Sequence, residues 1–243
     1  MKTGFLAMGL VAALAACGGD DDGGGGGGNP APFDEDADYE PAVAADALSA
    51  SVTNELFPLP VGATWTYEAE TPDGLERIEV SVESGTYGVW GAEARVVRDS
   101  AYLDDELIED TDDWFAQDDA GNVWYMGEAT AEYEAGEVIS TEGSWTSGEG
   151  GALPGVNMLG APQVGDTYRQ EYLAGEAEDY AIVMSLDEEV TVEAGTFTGC
   201  MKTHDLSAID PELDEFKYYC PGVGTVLVEE GDVREELVAY DGL

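Results

Sequence analysis

Apolar and polar residues alternate one by one along much of this chain. A period of two admits a β-strand with one buried face and little else. Ile78, Val80 and Val82 alternate with Glu79 and Ser81, and Val190 and Val192 with Glu189, Thr191 and Glu193. Aromatic and β-branched residues gather in Trp114-Phe115, Val123-Trp124-Tyr125, Lys217-Tyr218-Tyr219 and Thr225-Val226-Leu227-Val228. Those types suit a pleated, half-buried surface. Gly, Asp and Pro punctuate at short intervals, and no long stretch has capped helical periodicity. The expected fold is all-β: an antiparallel meander over residues 51–243, forming a barrel-like or sandwich sheet system.

The meander reads as two related halves, about 56–142 and 160–243. Val61-Gly62-Ala63-Thr64-Trp65-Thr66-Tyr67-Glu68 matches Val164-Gly165-Asp166-Thr167-Tyr168-Arg169-Gln170-Glu171 at five of eight positions, counting the aromatic pair Trp65 and Tyr168. Glu83-Ser84-Gly85-Thr86-Tyr87 matches Glu193-Ala194-Gly195-Thr196-Phe197. Trp114-Phe115 precedes a Gly turn and a strand, as Tyr218-Tyr219 does. Each half is too thin to bury a core alone, so the two are expected to share one sheet system.

The N-terminus indicates the compartment. Lys2 precedes an apolar run over residues 5–16. The run is too short for a span of about 20 residues and has the pattern of a secretory signal. It ends Leu14-Ala15-Ala16-Cys17, which resembles the lipobox of bacterial lipoproteins. In that pattern residues 1–16 are removed and Cys17 is acylated, anchoring the chain to a lipid bilayer. Residues 17–50 then form a tether: Gly18-Gly19, three Asp, six Gly, and an acidic, Pro-containing stretch. Residues 42–50 are expected to form a short helix within it. Gly18, where an Asp would resemble an inner-membrane retention signal, points to the outer membrane or cell surface.

Composition narrows the partners. The net charge is −45, from 53 Asp plus Glu against 8 Lys plus Arg, which repels nucleic-acid phosphates and anionic head groups. Hydrophobic content of 44% and aromatic content of 9% exclude a wholly disordered acidic chain. The acids are spread along the chain, as on a solvated acidic surface. No motif calls for a cofactor. Ca²⁺ is the ion the densest acid stretch, residues 99–119, could take, with Asp118, Asp119 and Asn122 as oxygen ligands. The EF-hand spacing is absent, and the same segment reads first as a hairpin turn around Gly121.

Several phrases resemble an uncharacterised family of bacterial secreted proteins and lipoproteins. They are Asp113-Trp114-Phe115-Ala116-Gln117-Asp118 through Gly121-Asn122-Val123-Trp124-Tyr125-Met126-Gly127-Glu128, then Ser144-Trp145, Leu153-Pro154-Gly155, and Tyr168-Arg169-Gln170-Glu171-Tyr172 with Gly175-Glu176-Ala177-Glu178-Asp179. The resemblance covers about residues 54–228. It implies an exported β-rich protein and supplies no catalytic residues. Where the family has small or aliphatic groups this chain has Cys200 and Cys220, which argues against a shared metal or catalytic role for them.

His204 is the only histidine. Triads that need a base have that one candidate, and it sits in a strand with Asp205 on the opposite face. The chain reads as non-catalytic. The best polar constellation is Tyr168, Arg169, Glu171, Glu178 and Asp179 beside Trp124, Glu128 and Trp145. It reads either as an Arg–carboxylate pair that pins the second half or as a ligand patch. With Cys17 acylated, Cys200 and Cys220 remain in an oxidising compartment. A hairpin turning at Asp210-Pro211 pairs residue i with 420 − i. That sets Cys200 against Cys220, Lys202 against Tyr218 and His204 against Phe216, within disulfide reach. The functional readings are a tethered binding or envelope-associated structural protein, a glycan hydrolase using paired carboxylates, and a lipid carrier with an apolar cavity.

Overall fold

The computed structural model describes residues 39–243. The signal segment, Cys17 and the first part of the tether lie outside the described residues. The chain forms β1 (Thr64–Thr71), β2 (Gly74–Val89), β3 (Ala92–Leu103), β4 (Glu106–Gln117), β5 (Val123–Glu134), β6 (Glu137–Ser140), β7 (Trp145–Thr146) and β8 (Leu153–Met158). There follow β9 (Thr167–Arg169), β10 (Glu171–Tyr172), β11 (Asp179–Val192), β12 (Gly195–Ser207), β13 (Glu215–Cys220), β14 (Gly224–Glu230) and β15 (Val233–Asp241). All pairings are antiparallel, in the order β10-β8-β5-β4-β3-β2-β1-β15-β14-β13-β12-β11-β9, with β6 and β7 beside β5. β9 and β10 follow each other along the chain. β9 pairs with β11 and β10 with β8, so this segment brings the two sheet ends together into a nearly closed barrel of 13 strands. At that seam a Cβ on Gly155 would collide with the Gln170 carbonyl, which is why a glycine stands there.

Tight turns keep the meander compact. Trp90-Gly91, Asp104-Asp105 and Ala135-Gly136 all have positive φ, as two-residue hairpins that match the strand twist require. Trp90, at φ 53°, holds a conformation costly for a bulky side chain. Asp118 builds the β4–β5 turn: its carboxylate accepts from the Ala120 and Asn122 main-chain N–H groups, the Asn122 amide and the Trp124 indole, all at 2.9 Å.

Two of the three internal matches fall at equivalent places. Gly62 N–H donates to Val82 O (2.9 Å) and Val82 N–H to Ala63 O (2.9 Å); Gly165 N–H donates to Val183 O (2.8 Å) and Val183 N–H to Asp166 O (2.9 Å). The β4–β5 and β13–β14 hairpins also correspond in order. The remaining pair does not: residues 83–87 lie inside β2, whereas residues 193–197 span the β11–β12 turn.

The main core lies inside the barrel and includes Trp65, Tyr67, Ile78, Val80, Val97, Phe115, Val183, Met201 and Leu237. Residues 52–59 plug one end. Phe57 packs edge-on to Phe115 at 5.2 Å, Gly222 N–H donates to Glu55 O (2.7 Å), and the Asn54 amide donates to Gly121 O and Leu159 O. A second cluster, Val89, Trp114, Trp124 and Met126, faces outward and is covered by Val43 and Leu48. Residues 39–50 are therefore docked rather than free, because their apolar side chains cover tryptophan that would otherwise meet water. Ser49 pairs with Gln117, and Tyr39 O–H donates to Pro154 O (2.8 Å). The helix expected at 42–50 shrinks to one 3-10 turn, Ala45–Ala47, which has no side-chain cap.

Candidate functional site

Among the described residues, nine strands each carry one buried carboxylate: Glu76, Asp99, Asp113, Glu128, Glu171, Asp179, Asp205, Glu215 and Glu235, on β2, β3, β4, β5, β10, β11, β12, β13 and β15. None is more than 7% exposed. Strand periodicity explains their direction. Glu76 is in phase with Ile78, Val80 and Val82, Asp179 with Ala181 and Val183, and Glu235 with Leu237, all members of the inner core. The barrel thus carries an acid belt around its interior.

One cation answers it in part. Lys217 Nζ lies 3.2 Å from Glu215 and 3.4 Å from Asp205, and the Gln170 amide donates to the same Asp205 oxygen at 3.0 Å. Burial works against the Lys217 charge, but Glu215 and Asp205 outweigh it and raise its pKa. On the other side of the belt, hydroxyls close the hydrogen bonds. Tyr125 O–H donates to Asp113 (2.5 Å) and Thr130 O–H to Glu128 (3.0 Å). Glu76, Glu128, Asp205 and Glu235 each keep an oxygen with no hydrogen-bond partner, and Glu171 keeps both. The Asp179 main-chain N–H and the Trp145 indole lie near enough to favour ionised Glu171 and Glu128 respectively, without closing hydrogen bonds.

Desolvation dominates the electrostatics. It pushes Glu76, Asp113 and Asp179, and the neighbouring Glu109, up to about 7. It pushes Asp99, Glu128, Glu171 and Glu235 well above the usual carboxylate range, and nearby carboxylates add to the effect. An ionised carboxylate taken out of water without a partner costs several kcal/mol. The belt is therefore a set of acceptors that must hold protons or attract a cation.

Two spaces adjoin it. A cavity of about 70 Å³ is lined by Trp65, Tyr67, Asp99, Asp113, Lys217 and Tyr219, among others. A groove of about 600 Å³ is lined by Tyr87, Trp114, Glu149 and Leu173 together with Glu128 and Trp145. Tyr87 and Trp114 stack there with ring centres 4.0 Å apart.

The barrel wall divides the patch expected from sequence. Glu128, Trp145, Tyr168, Glu171 and Asp179 belong to the interior. Trp124 lies in the outer cluster. Arg169 lies against the Tyr39 and Tyr172 rings, 5.2 and 4.7 Å from their centres, the rings themselves being 5.2 Å apart, and donates to Glu178 at 3.3 Å. That ion pair fits the pinning role, since it ties β9 to the approach of β11 on the side where Tyr39 docks. Alternation sends Tyr168 in and Arg169 out.

The acid stretch at 99–119 is divided in the same way. Asp99 and Asp113 are interior, Asp112 pairs with Arg98 (2.8 Å), and Asp118 is spent on its turn. Among the described residues no three His, Cys, Asp or Glu side chains are grouped to hold a metal ion. His204 donates to or accepts from Asp214 at 2.6 Å and stacks on Phe216, outside the barrel.

Among solved structures the chain is similar to a protein of Parabacteroides distasonis described provisionally as a lipoprotein. The TM-score is 0.41 and the identity 13%, over 76% of this chain and 98% of that one. No protein-family model matches the chain, and no curated protein does.

Proposed function

We propose that this chain is a non-catalytic binding protein of the bacterial cell envelope. Acylated Cys17 holds it to the outer membrane or cell surface, and its barrel binds a cationic ligand. The observation that carries the binding role is the acid belt: nine buried carboxylates, several with unpartnered oxygens, against one lysine. The Leu14-Ala15-Ala16-Cys17 run followed by the Gly/Asp tether supports the anchor, and the motif likeness to exported bacterial proteins agrees with the location. A lipid carrier fits less well, because acyl chains would bury these carboxylates without partners. Glycan hydrolysis fits less well too. Asp113 and Glu128 face each other, but inside a barrel plugged at one end by residues 52–59.

The test uses the full chain carrying Cys17→Ala, which should move from the membrane to the soluble fraction. Its thermal unfolding is then followed with different cations at one ionic strength. A cation that binds the folded state raises the melting temperature beyond the effect of NaCl. Equal melting temperatures with every cation would overturn the binding role. A variant that stays with the membrane would overturn the anchor.

A further inference from the structure

The cavity of about 70 Å³ brings two acids of the belt into one space. Asp99 lines it, is 5% exposed, and receives no hydrogen bond or ion pair among the described residues. Asp113 lines it too, with one oxygen taken by the Tyr125 hydroxyl. Strand register fixes their spacing: Asp99 stands opposite Thr111 and Val97 opposite Asp113, so the two acids are diagonal neighbours on β3 and β4. Diagonal neighbours on one face lie about 7–8 Å apart, with their side chains in common reach. One ammonium group therefore spans both carboxylates. Lys217 faces the same cavity, but Asp205 and Glu215, which do not line it, already hold that charge at 3.4 and 3.2 Å. The cavity wall thus keeps an unanswered negative charge.

The rest of the lining defines the cation. The Trp65 indole N–H donates to Val223 O (2.8 Å) and the Tyr67 hydroxyl to Thr225 O (3.0 Å). With their polar atoms engaged, these rings offer carbon to the cavity, as Val80 and Phe115 do. An ammonium beside such rings gains cation–π attraction, and an alkyl body buries apolar surface. Ca²⁺ needs about six to eight oxygens, more than Asp99, Asp113 and the Asn157 amide supply here. A primary ammonium needs acceptors for three N–H groups, which the free carboxylate oxygens provide. A dry cavity of about 150 Å³ admits benzene, so about 70 Å³ limits the body to roughly two or three carbons. Phe57 lines the cavity from the plug of residues 52–59, which separates this space from solvent at that end.

Resting on the cation-binding reading above, we propose that this cavity binds a short-chain primary alkylammonium ion, its ammonium group between Asp99 and Asp113 and its carbon chain against Trp65 and Tyr67.

The experiment titrates the full chain carrying Cys17→Ala with ethylammonium, by calorimetry at fixed ionic strength. Ethanol serves as the uncharged control and hexylammonium as the oversized one. The expected result is one ethylammonium per chain, no heat with ethanol, and affinity lower by about tenfold or more for hexylammonium. Asp99→Asn should weaken ethylammonium binding by about tenfold or more, and Glu137→Gln, on an exposed position of β6, should bind as the parent does. If Asp99→Asn fails to fold, Asp113→Asn takes its place, and magnetisation transfer from the ethyl protons to the Trp65 ring of the parent locates the ligand without a substitution at the site. Stabilisation by Na⁺ or Ca²⁺ with no binding of ethylammonium would overturn the amine and leave the cation reading standing. No response to any cation would overturn both. Equal affinity for hexylammonium, ethylammonium binding unchanged in the asparagine variant, or transfer that misses Trp65 would place the ligand outside the cavity and overturn this site.

Discussion

Asp113 and Glu128 stand directly opposite each other on β4 and β5, both buried. Like charges in that position destabilise a sheet. Each therefore takes a hydroxyl donor, Tyr125 for Asp113 and Thr130 for Glu128. Desolvation still outweighs those hydrogen bonds, raising Asp113 to about 7 and Glu128 well above its ordinary value. The pair is representative of the whole belt: acids held by the fold in a place where their charge is costly.

Stability should therefore fall as pH rises through neutrality. In the unfolded chain carboxyls titrate near 4. In the folded barrel Glu76, Glu109, Asp113 and Asp179 titrate at about 7. Between those values the folded state binds more protons than the unfolded state, so the free energy of unfolding declines with pH. Surface acids finish titrating by about pH 5, so continued loss from about pH 5 to 7 reports the belt. Urea unfolding at pH 5, 6, 7 and 8, at one ionic strength, measures it. A stability that rose over that window would contradict the assignment.

Glu235→Gln should stabilise the protein at pH 8 by about 1–3 kcal/mol and change little at pH 5. Glu235 is buried among Asp99 and Glu76 with Oε1 unpartnered. The amide keeps the volume and removes the charge. At pH 5 the native carboxyl is already neutral, so the advantage disappears. Melting curves of both proteins at the two pH values decide it.

The opposite sign is expected at Lys217. Lys217→Met removes the one ammonium within 3.4 Å of Asp205 and Glu215 and leaves two buried acids without it. Removing one member of a buried ion pair costs about 3–5 kcal/mol. Urea unfolding of the parent and the variant at pH 7 measures the loss. A loss well short of that range would mean that the ion pairs are not what holds the two acids.

The strands, the disulfide and the register of one hairpin were legible in the sequence. The turn at Asp210-Pro211 and period-two alternation suffice to pair Lys202 with Tyr218 and His204 with Phe216, as observed. The site was less legible. Tyr168 and Arg169 are neighbours on β9, which sends them to opposite faces, and the chain leaves β9 for β10 at Gln170, so Glu171 returns to the interior and one expected patch becomes two environments. The belt was obscured by the abundance of acids. Its signal was phase: Glu76 continues the Ile78, Val80, Val82 series, and Glu235 precedes Leu237 by two. An acid in phase with apolar residues is buried, whereas one out of phase is solvated. The docking of residues 39–50 depends on the outward tryptophan cluster, which forms only once β4 and β5 are paired.

The Cys200–Cys220 disulfide should carry a large share of the stability of the β12–β13 hairpin. The two residues are 20 apart in sequence, their Cα atoms lie 4.2 Å apart, and both are buried in the core. The hairpin between them turns through residues 208–214, held by Ser207 and Asp210 side chains accepting main-chain N–H groups. The loop is also held by Ala208 N–H donating to Glu178 O (3.1 Å) and by Asp214 against His204 (2.6 Å), and the covalent link adds a restriction on the unfolded chain. Closing a loop of this size contributes roughly 3 kcal/mol in the chain-entropy account. Cys200→Ser with Cys220→Ser, in the Cys17→Ala protein, should lower stability by about that amount. Lys217 lies three residues before Cys220, so its ion pairs with Asp205 and Glu215 should loosen too. Thiol titration of the unfolded, unreduced parent should find no free thiol. Two free thiols in protein purified from an oxidising compartment would refute the bridge.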